Sequence, residues 1–384
     1  TAPSSLRGSA RQAIMRGIAP LIGLAWLLGK RSGNAVEQVA GPDIAPRLTI
    51  GLGQGLLLSL LFVLRGDSPD TLLAGLIMAT TFAPLLLVQG LERISLRPLL
   101  IWAGSAAVGL MGLGAYHAWR VADTDPGQAG LWLVALVVIF LFIGQALLLG
   151  HARSTPLRYA VLYESSWRLA VEILLCGLVA LSVWTLCRFG GHLFAAQAAS
   201  LSRWLAIPLT TTSFAAAAQL RAGTLLHLLK RSAVMFFAFL LPPLIFFAVV
   251  TILFAAFDRW QPSLALCGLQ GLLLLVGVNA SYRGGDEWRS LWRRRAEFLA
   301  AILLPPLALL GVLALHIRVG HYGFTGPRII AMALMFLFIA YALTYAGAAL
   351  ISLGGGRWMA RIERINLLMA FVVMSLCATL ASPL

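Results

Sequence analysis

The sequence has 384 residues, 60% of them hydrophobic and 11% charged, with a formal net charge of +15 and a mean hydropathy of +0.89. A soluble domain carries about 25% charged residues to cover its surface, so this composition excludes a water-soluble fold. The positive charge, which on a soluble protein would suggest nucleic acid, reads here as basic residues held in cytoplasmic loops beside anionic lipid headgroups; no nucleic-acid motif accompanies it.

Residues 1–46 read as an N-terminal cytoplasmic or interfacial segment, and 47–384 as a transmembrane helical domain. The chain starts at Thr1 rather than methionine, so a preceding piece is expected. The apolar stretch 13–29 is interrupted by Arg16, is short for a span, and is not followed by a signal-cleavage pattern; an interfacial helix is expected. Apolar blocks of roughly 20 residues then recur, each long enough to cross a bilayer core as a helix. The expected spans are 48–64, 71–91, 98–118, 129–150, 169–187, 204–220, 233–257, 263–280, 298–316, 329–351 and 365–381. The predicted class is therefore all-α: a polytopic transmembrane helix bundle of about eleven spans. The weakest is 204–220, which holds Pro208 and three successive threonines. With the N-terminus in the cytoplasm, inner loops hold 22 of the 29 Lys and Arg residues. This bias predicts an odd number of spans and a cytoplasmic N-terminus.

Polar side chains within the spans are the first candidates for function. Gln54, Gln89, Gln145, Asn279 and Asn366 need hydrogen-bond partners in a dry bundle, and interhelical bonding is their expected role. Glu172 is the ionisable group inside an expected span. It reads either as part of a proton or cation relay or, from its shallow position beside Arg168, as an interfacial carboxylate; the second is favoured. Pro84, Pro208, Pro242, Pro243, Pro305 and Pro306 kink spans or mark unwound backbone.

On the expected outer face lie Arg120, Arg188, Arg203, Arg318 and Arg328 with several histidines. The planar guanidinium fork suits phosphate, so these arginines are candidates for an anion or lipid contact, against a simpler reading as side chains snorkelling to headgroups. The histidines fit no zinc spacing. Cys176, Cys187, Cys267 and Cys377 form no ligand pair, and the glycines at 354–356 read as a helix stop. No P-loop or His-Glu-x-x-His motif occurs. No catalytic residue, metal or cofactor is expected; the expected partners are membrane lipids and other membrane subunits.

Several stretches carry a family pattern: RLTIGLGQGLLL at 47–58, YHAWR at 116–120, VNASYR at 278–283, VLALHIRVGHYGFTGPR at 312–328, ERINL at 363–367 and the closing SPL. Together they resemble the bacterial membrane proteins grouped as domain of unknown function 4153, from about Arg47 onward. His316 departs from the aromatic expected there, and family members continue past SPL into a polar tail. The resemblance implies a multi-pass protein of a bacterial inner membrane and carries no established activity. Its core, Tyr322, Gly323, Thr325 and Arg328, has a physical reading. Gly323 takes positive φ in a tight turn, Thr325 caps the next helix, and Pro327 sits in its first turn. Arg328 at the positive helix end wants an anion nearby.

Three functions follow as expectations. The first, and the one leaned to, is transport or flipping of an anionic solute or lipid-linked intermediate. The second is a non-catalytic scaffold or assembly subunit. The third is an intramembrane transferase on lipid-linked substrates, disfavoured by the scarcity of outer aspartates.

Overall fold

A computed structural model of the chain describes residues 44–65, 70–120, 126–154, 157–193, 196–218, 224–257, 263–282, 291–353 and 357–381. The expected interfacial helix at 13–29 and the triple glycine lie outside the described residues. Eleven α-helices account for the described chain: α1 Ile44–Arg65, α2 Thr71–Gly90, α3 Leu96–Arg120, α4 Pro126–Arg153, α5 Tyr159–Leu193, α6 Ala196–Ala217, α7 Thr224–Ala256, α8 Leu264–Ala280, α9 Leu291–Tyr322, α10 Gly326–Ser352 and α11 Trp358–Ala381. Nine of them are long and apolar enough to cross a membrane. The other two contribute shorter apolar segments, Leu205–Ala217 in α6 and the whole of α8. The protein is an all-α, multi-pass integral membrane protein. In hydrocarbon every backbone amide must bond within its own segment, which selects helices for these apolar blocks.

Helix starts follow local chemistry. Asp70 accepts from the amides of Leu72 and Leu73 at the head of α2, and Ser263 accepts from Leu266 at the head of α8. These caps satisfy donors that a helix leaves free in its first turn. Several helices run past the expected spans. α5 starts at Tyr159 rather than near 169, and α9 starts at Leu291 and carries Arg293, Arg294 and Arg295 in its first two turns rather than in a loop. Hydropathy marks the hydrocarbon-crossing part of a helix, not its polar ends.

The chain divides into two compact units. The first holds α1, α2, α3 to Ala118, α5 from Glu172, and α6. Within it, α1 packs most extensively on α6. Gly51 and Gly55, one turn apart, make that approach possible. A Cβ on Gly51 would lie 2.7 Å from the Ala215 Cβ and 2.8 Å from the Thr211 carbonyl oxygen. A Cβ on Gly55 would overlap the Pro208 Cα and the Thr211 Oγ1. This is small-residue helix packing, where contact between backbones replaces a hydrophobic driving force that lipid cannot supply.

Next to Gly55 on α1, Gln54 Nε2 donates to the carbonyls of Thr80, at 3.1 Å, and Thr81, at 2.9 Å, in α2. Pro84 lacks the amide that would otherwise bond the Thr80 carbonyl, so the Gln54 amide supplies the donor that proline removes. Gln54→Leu is expected to cost about 1 kcal/mol in thermal unfolding of the purified protein. In a Pro84→Ala background the cost should shrink, because the alanine amide can bond Thr80 itself. Equal costs in both backgrounds would refute the repair role.

Arg47 is fully buried and pairs with Glu92, which follows α2 with φ of +68°. The positive φ is uncommon for a residue with a side chain. The ion pair with Arg47 holds Glu92 in that conformation.

The second unit holds α4, α5 to Val171, and α7 to α11. Its core joins Leu241, Leu274, Leu304, Tyr345 and Trp358, among others, and is lined by side chains with almost no exposure. Short α8 lies against α7, α9 and α10. Gly271 of α8 faces the Phe338 ring of α10, and Gly311 of α9 faces Met335, so glycines again seat large neighbours.

Candidate functional site

Four helices of the second unit bring polar side chains together at one end: Tyr159 opens α5, Asn279 lies next to last in α8, Tyr345 lies two turns from the end of α10, and Asn366 lies just over two turns into α11. They form one hydrogen-bonded ring. Tyr159 Oη donates to Asn279 Oδ1 at 2.9 Å, and Tyr345 Oη donates to Asn366 Oδ1 at 2.5 Å. Asn366 Nδ2 donates to Tyr159 Oη at 2.9 Å and to Asn279 Oδ1 at 2.6 Å. Asn279 Nδ2 donates to Tyr345 Oη at 2.9 Å and to the Leu275 carbonyl at 2.8 Å. An asparagine amide has two N–H groups and a tyrosine one O–H. Every such hydrogen in the ring therefore has an acceptor.

Aromatic side chains surround the ring. The Tyr282 ring meets Tyr159 and Tyr163 edge-on, at centroid separations of 5.1 Å and 5.0 Å. Its hydroxyl donates to Glu363 at 2.8 Å. Further along the same end, Trp358 is buried, stacks near Phe298 at 4.9 Å and donates its indole N–H to the buried Glu297 at 3.4 Å. Both carboxylates are thus held by neutral aromatic donors. A network of this kind fixes the register of its helices, since slipping one of them leaves polar groups unpaired in a medium that offers no water.

The two sequence stretches 278–283 and 363–367 converge here. Asn279 meets Asn366, and Tyr282 meets Glu363. Tyr159 and Tyr345 are the partners that sequence reasoning missed. Tyr159 fell within an expected loop, and Tyr345 read as one aromatic among many in an apolar span. The signal available was that each in-span asparagine requires partners.

The other expected site residues go elsewhere. Gln54 repairs the proline break in the first unit. Glu172, also in that unit, is buried, and it lies well inside α5 because that helix begins at Tyr159.

The α9–α10 hairpin has the expected turn, with Gly323 at φ of +70° and proline in the first turn of α10. Thr325 occupies the cap position, but its side chain makes no capping bond, a correction to the expected role. Arg328 turns back on the hairpin. Its Nη1 donates to the carbonyls of Tyr322, at 2.7 Å, and Gly323, at 2.5 Å, and its guanidinium lies 5.4 Å from the Tyr322 ring centroid. Loop carbonyls and a π-face thus provide the negative partner that the helix end calls for. Arg120 and Arg318 are exposed. The four cysteines are free thiols, and no group of three potential metal ligands occurs among the described residues.

No protein family, curated protein or solved structure matches the chain.

Proposed function

We propose that this multi-pass membrane protein is a non-catalytic scaffold or assembly subunit that offers a rigid helical surface to other membrane proteins. The observation that supports it is the complete use of donors in the Tyr159–Asn279–Tyr345–Asn366 ring. A carrier needs polar groups along its path that exchange partners with a solute. Here the in-span asparagines spend their hydrogens on protein acceptors, as does Gln54 on the Thr80 and Thr81 carbonyls. Arg328, the strongest sequence candidate for an anion contact, is engaged by its own hairpin. Membership of the domain of unknown function 4153 group, and with it a bacterial inner-membrane location, is part of the same proposal; it rests on the motifs at 278–283, 312–328 and 363–367.

Transport of an anionic solute is the second reading, and a separate observation favours it. α7 and α9 pack together, and each carries two successive prolines near its middle, Pro242–Pro243 and Pro305–Pro306. Each proline removes one intrahelical amide, so mid-helix carbonyls on neighbouring helices are left for other donors.

Mild solubilisation of native membranes followed by native electrophoresis separates the two. The scaffold reading expects an assembly well above the 41.2 kDa of the single chain. It also expects loss of a second subunit when the chain is deleted. A lone chain that moves an anion across proteoliposomes would replace it with the transport reading.

A further inference from the structure

We propose that the first two turns of α9 and α11 form a binding surface for the phosphates of anionic phospholipid headgroups. The two helix starts are joined by the buried contact of Trp358 with Glu297 and Phe298. Around that contact, α9 contributes Arg293, Arg294 and Arg295, and α11 with its approach contributes Arg357, Arg361 and Arg364. Over 292–298 and 357–364 these six arginines face two acidic residues, Glu297 and Glu363.

Six arginines against two glutamates leave these two helix starts net positive. Glu297 is fully buried against the Trp358 indole, and Glu363 accepts from Tyr282. Arg294, Arg295, Arg357 and Arg364 are exposed. Arg294 spreads over the Phe298 ring at 5.8 Å, and Arg361 donates to Ser352 at 2.6 Å, so the patch is built on packed side chains rather than on a loose loop. Positive charge in a first helical turn opposes the helix dipole and is relieved by a bound anion.

An exposed tryptophan at the start of α9 narrows the choice of anion: Trp292 is 65% exposed, whereas Trp358 is buried in the core. Tryptophan concentrates at the level of lipid headgroups. The exposed Leu299 of α9, and Ile351 and Leu353 at the end of α10, offer apolar surface for acyl chains. Arginine forks bind phosphate bidentately, so the charge, the fork geometry and the exposed tryptophan all match a phospholipid that carries net negative charge.

The test titrates the purified full chain in a neutral detergent with phosphatidylglycerol, phosphatidylcholine or inorganic phosphate and follows the thermal unfolding midpoint. Phosphatidylglycerol should raise the midpoint, and the other two should not. The variant R294Q/R295Q/R357Q/R364Q should weaken the apparent affinity for phosphatidylglycerol about tenfold or more. The variant R97Q/R153Q/R158Q/R231Q removes equal charge from exposed positions elsewhere and should leave that affinity unchanged.

A phosphatidylcholine response equal to that of phosphatidylglycerol, or equal losses in the two variants, overturns the proposal. An equal response to inorganic phosphate reassigns the surface to a free anion and overturns the lipid. Should the first variant fail to fold, headgroup photocrosslinking on the unmodified chain decides the matter. Adducts on 291–299 and 357–364 support the surface, and adducts confined to other segments overturn it.

Discussion

Gly55→Ala is expected to lower the stability of the purified protein by about 1–3 kcal/mol, while Gly53→Ala, two residues away, should leave it unchanged or slightly raised. The contrast comes from where each new methyl would point. At Gly55 it would overlap the Pro208 Cα and Thr211 Oγ1 of α6, and the first of these is backbone that cannot turn aside. At Gly53 nothing lies within 4 Å. To admit the methyl, α1 and α6 must separate along their contact, which gives up dispersion contacts on both sides of the inserted group. A cysteine crosslink engineered between α1 and α6 should also form more slowly in the Gly55 variant. If both alanine variants melt together, close approach of these helices is not what holds the first unit.

Asn366→Leu carries the second large effect. The leucine fills similar space but deletes three hydrogen bonds at once. The Tyr345 hydroxyl loses its acceptor at a fully buried site, and Tyr159 and Asn279 each lose a donor. Leaving buried polar groups unpaired costs about 1–3 kcal/mol in soluble proteins. Interhelical bonds measured in membranes average about 0.6 kcal/mol with a maximum near 1.7, so a loss of about 1–2 kcal/mol is expected here. The Asn279→Leu, Asn366→Leu pair should be less damaging than the two single changes added together, because the second substitution removes groups that the first has already orphaned. Strict additivity in the thermal unfolding of the four proteins would show that the asparagines act independently, contrary to a closed ring.

Much of the fold was legible because hydrocarbon imposes a simple rule, and each of the eleven expected spans coincides with a helix. The weakest span, 204–220, corresponds to α6, whose apolar part is short. What hydropathy could not reveal was how far helices continue past their apolar stretches. Tyr159, Arg293 and Trp358 are polar or amphipathic, yet all sit in regular helix. That shortfall hid one member of the ring, since Tyr159 was counted in a loop. Asn279 and Asn366 stood out as amides in apolar runs, but their pairing joins positions 87 residues apart, which no local pattern encodes. The pair Gly51 and Gly55 was not singled out in the sequence, and its partner on α6 needed three dimensions. The expectation for Arg328 came from the helix dipole alone; backbone carbonyls two turns or less away along the chain answered the same electrostatic demand.

Short α8 bears on the surrounding lipid. Its 17 residues span about 25 Å, against a hydrocarbon core of about 30 Å, while neighbouring α7 and α9 have 33 and 32 residues. Leu269 and Leu272 are more than half exposed, so this stub forms part of the outer wall. Acyl chains beside it must compress or tilt to meet it, at a cost of a fraction of a kcal/mol for each ångström of mismatch. The wall therefore has a notch that thin bilayers fit and thick ones strain against, and membrane thickness becomes a variable to which the second unit responds.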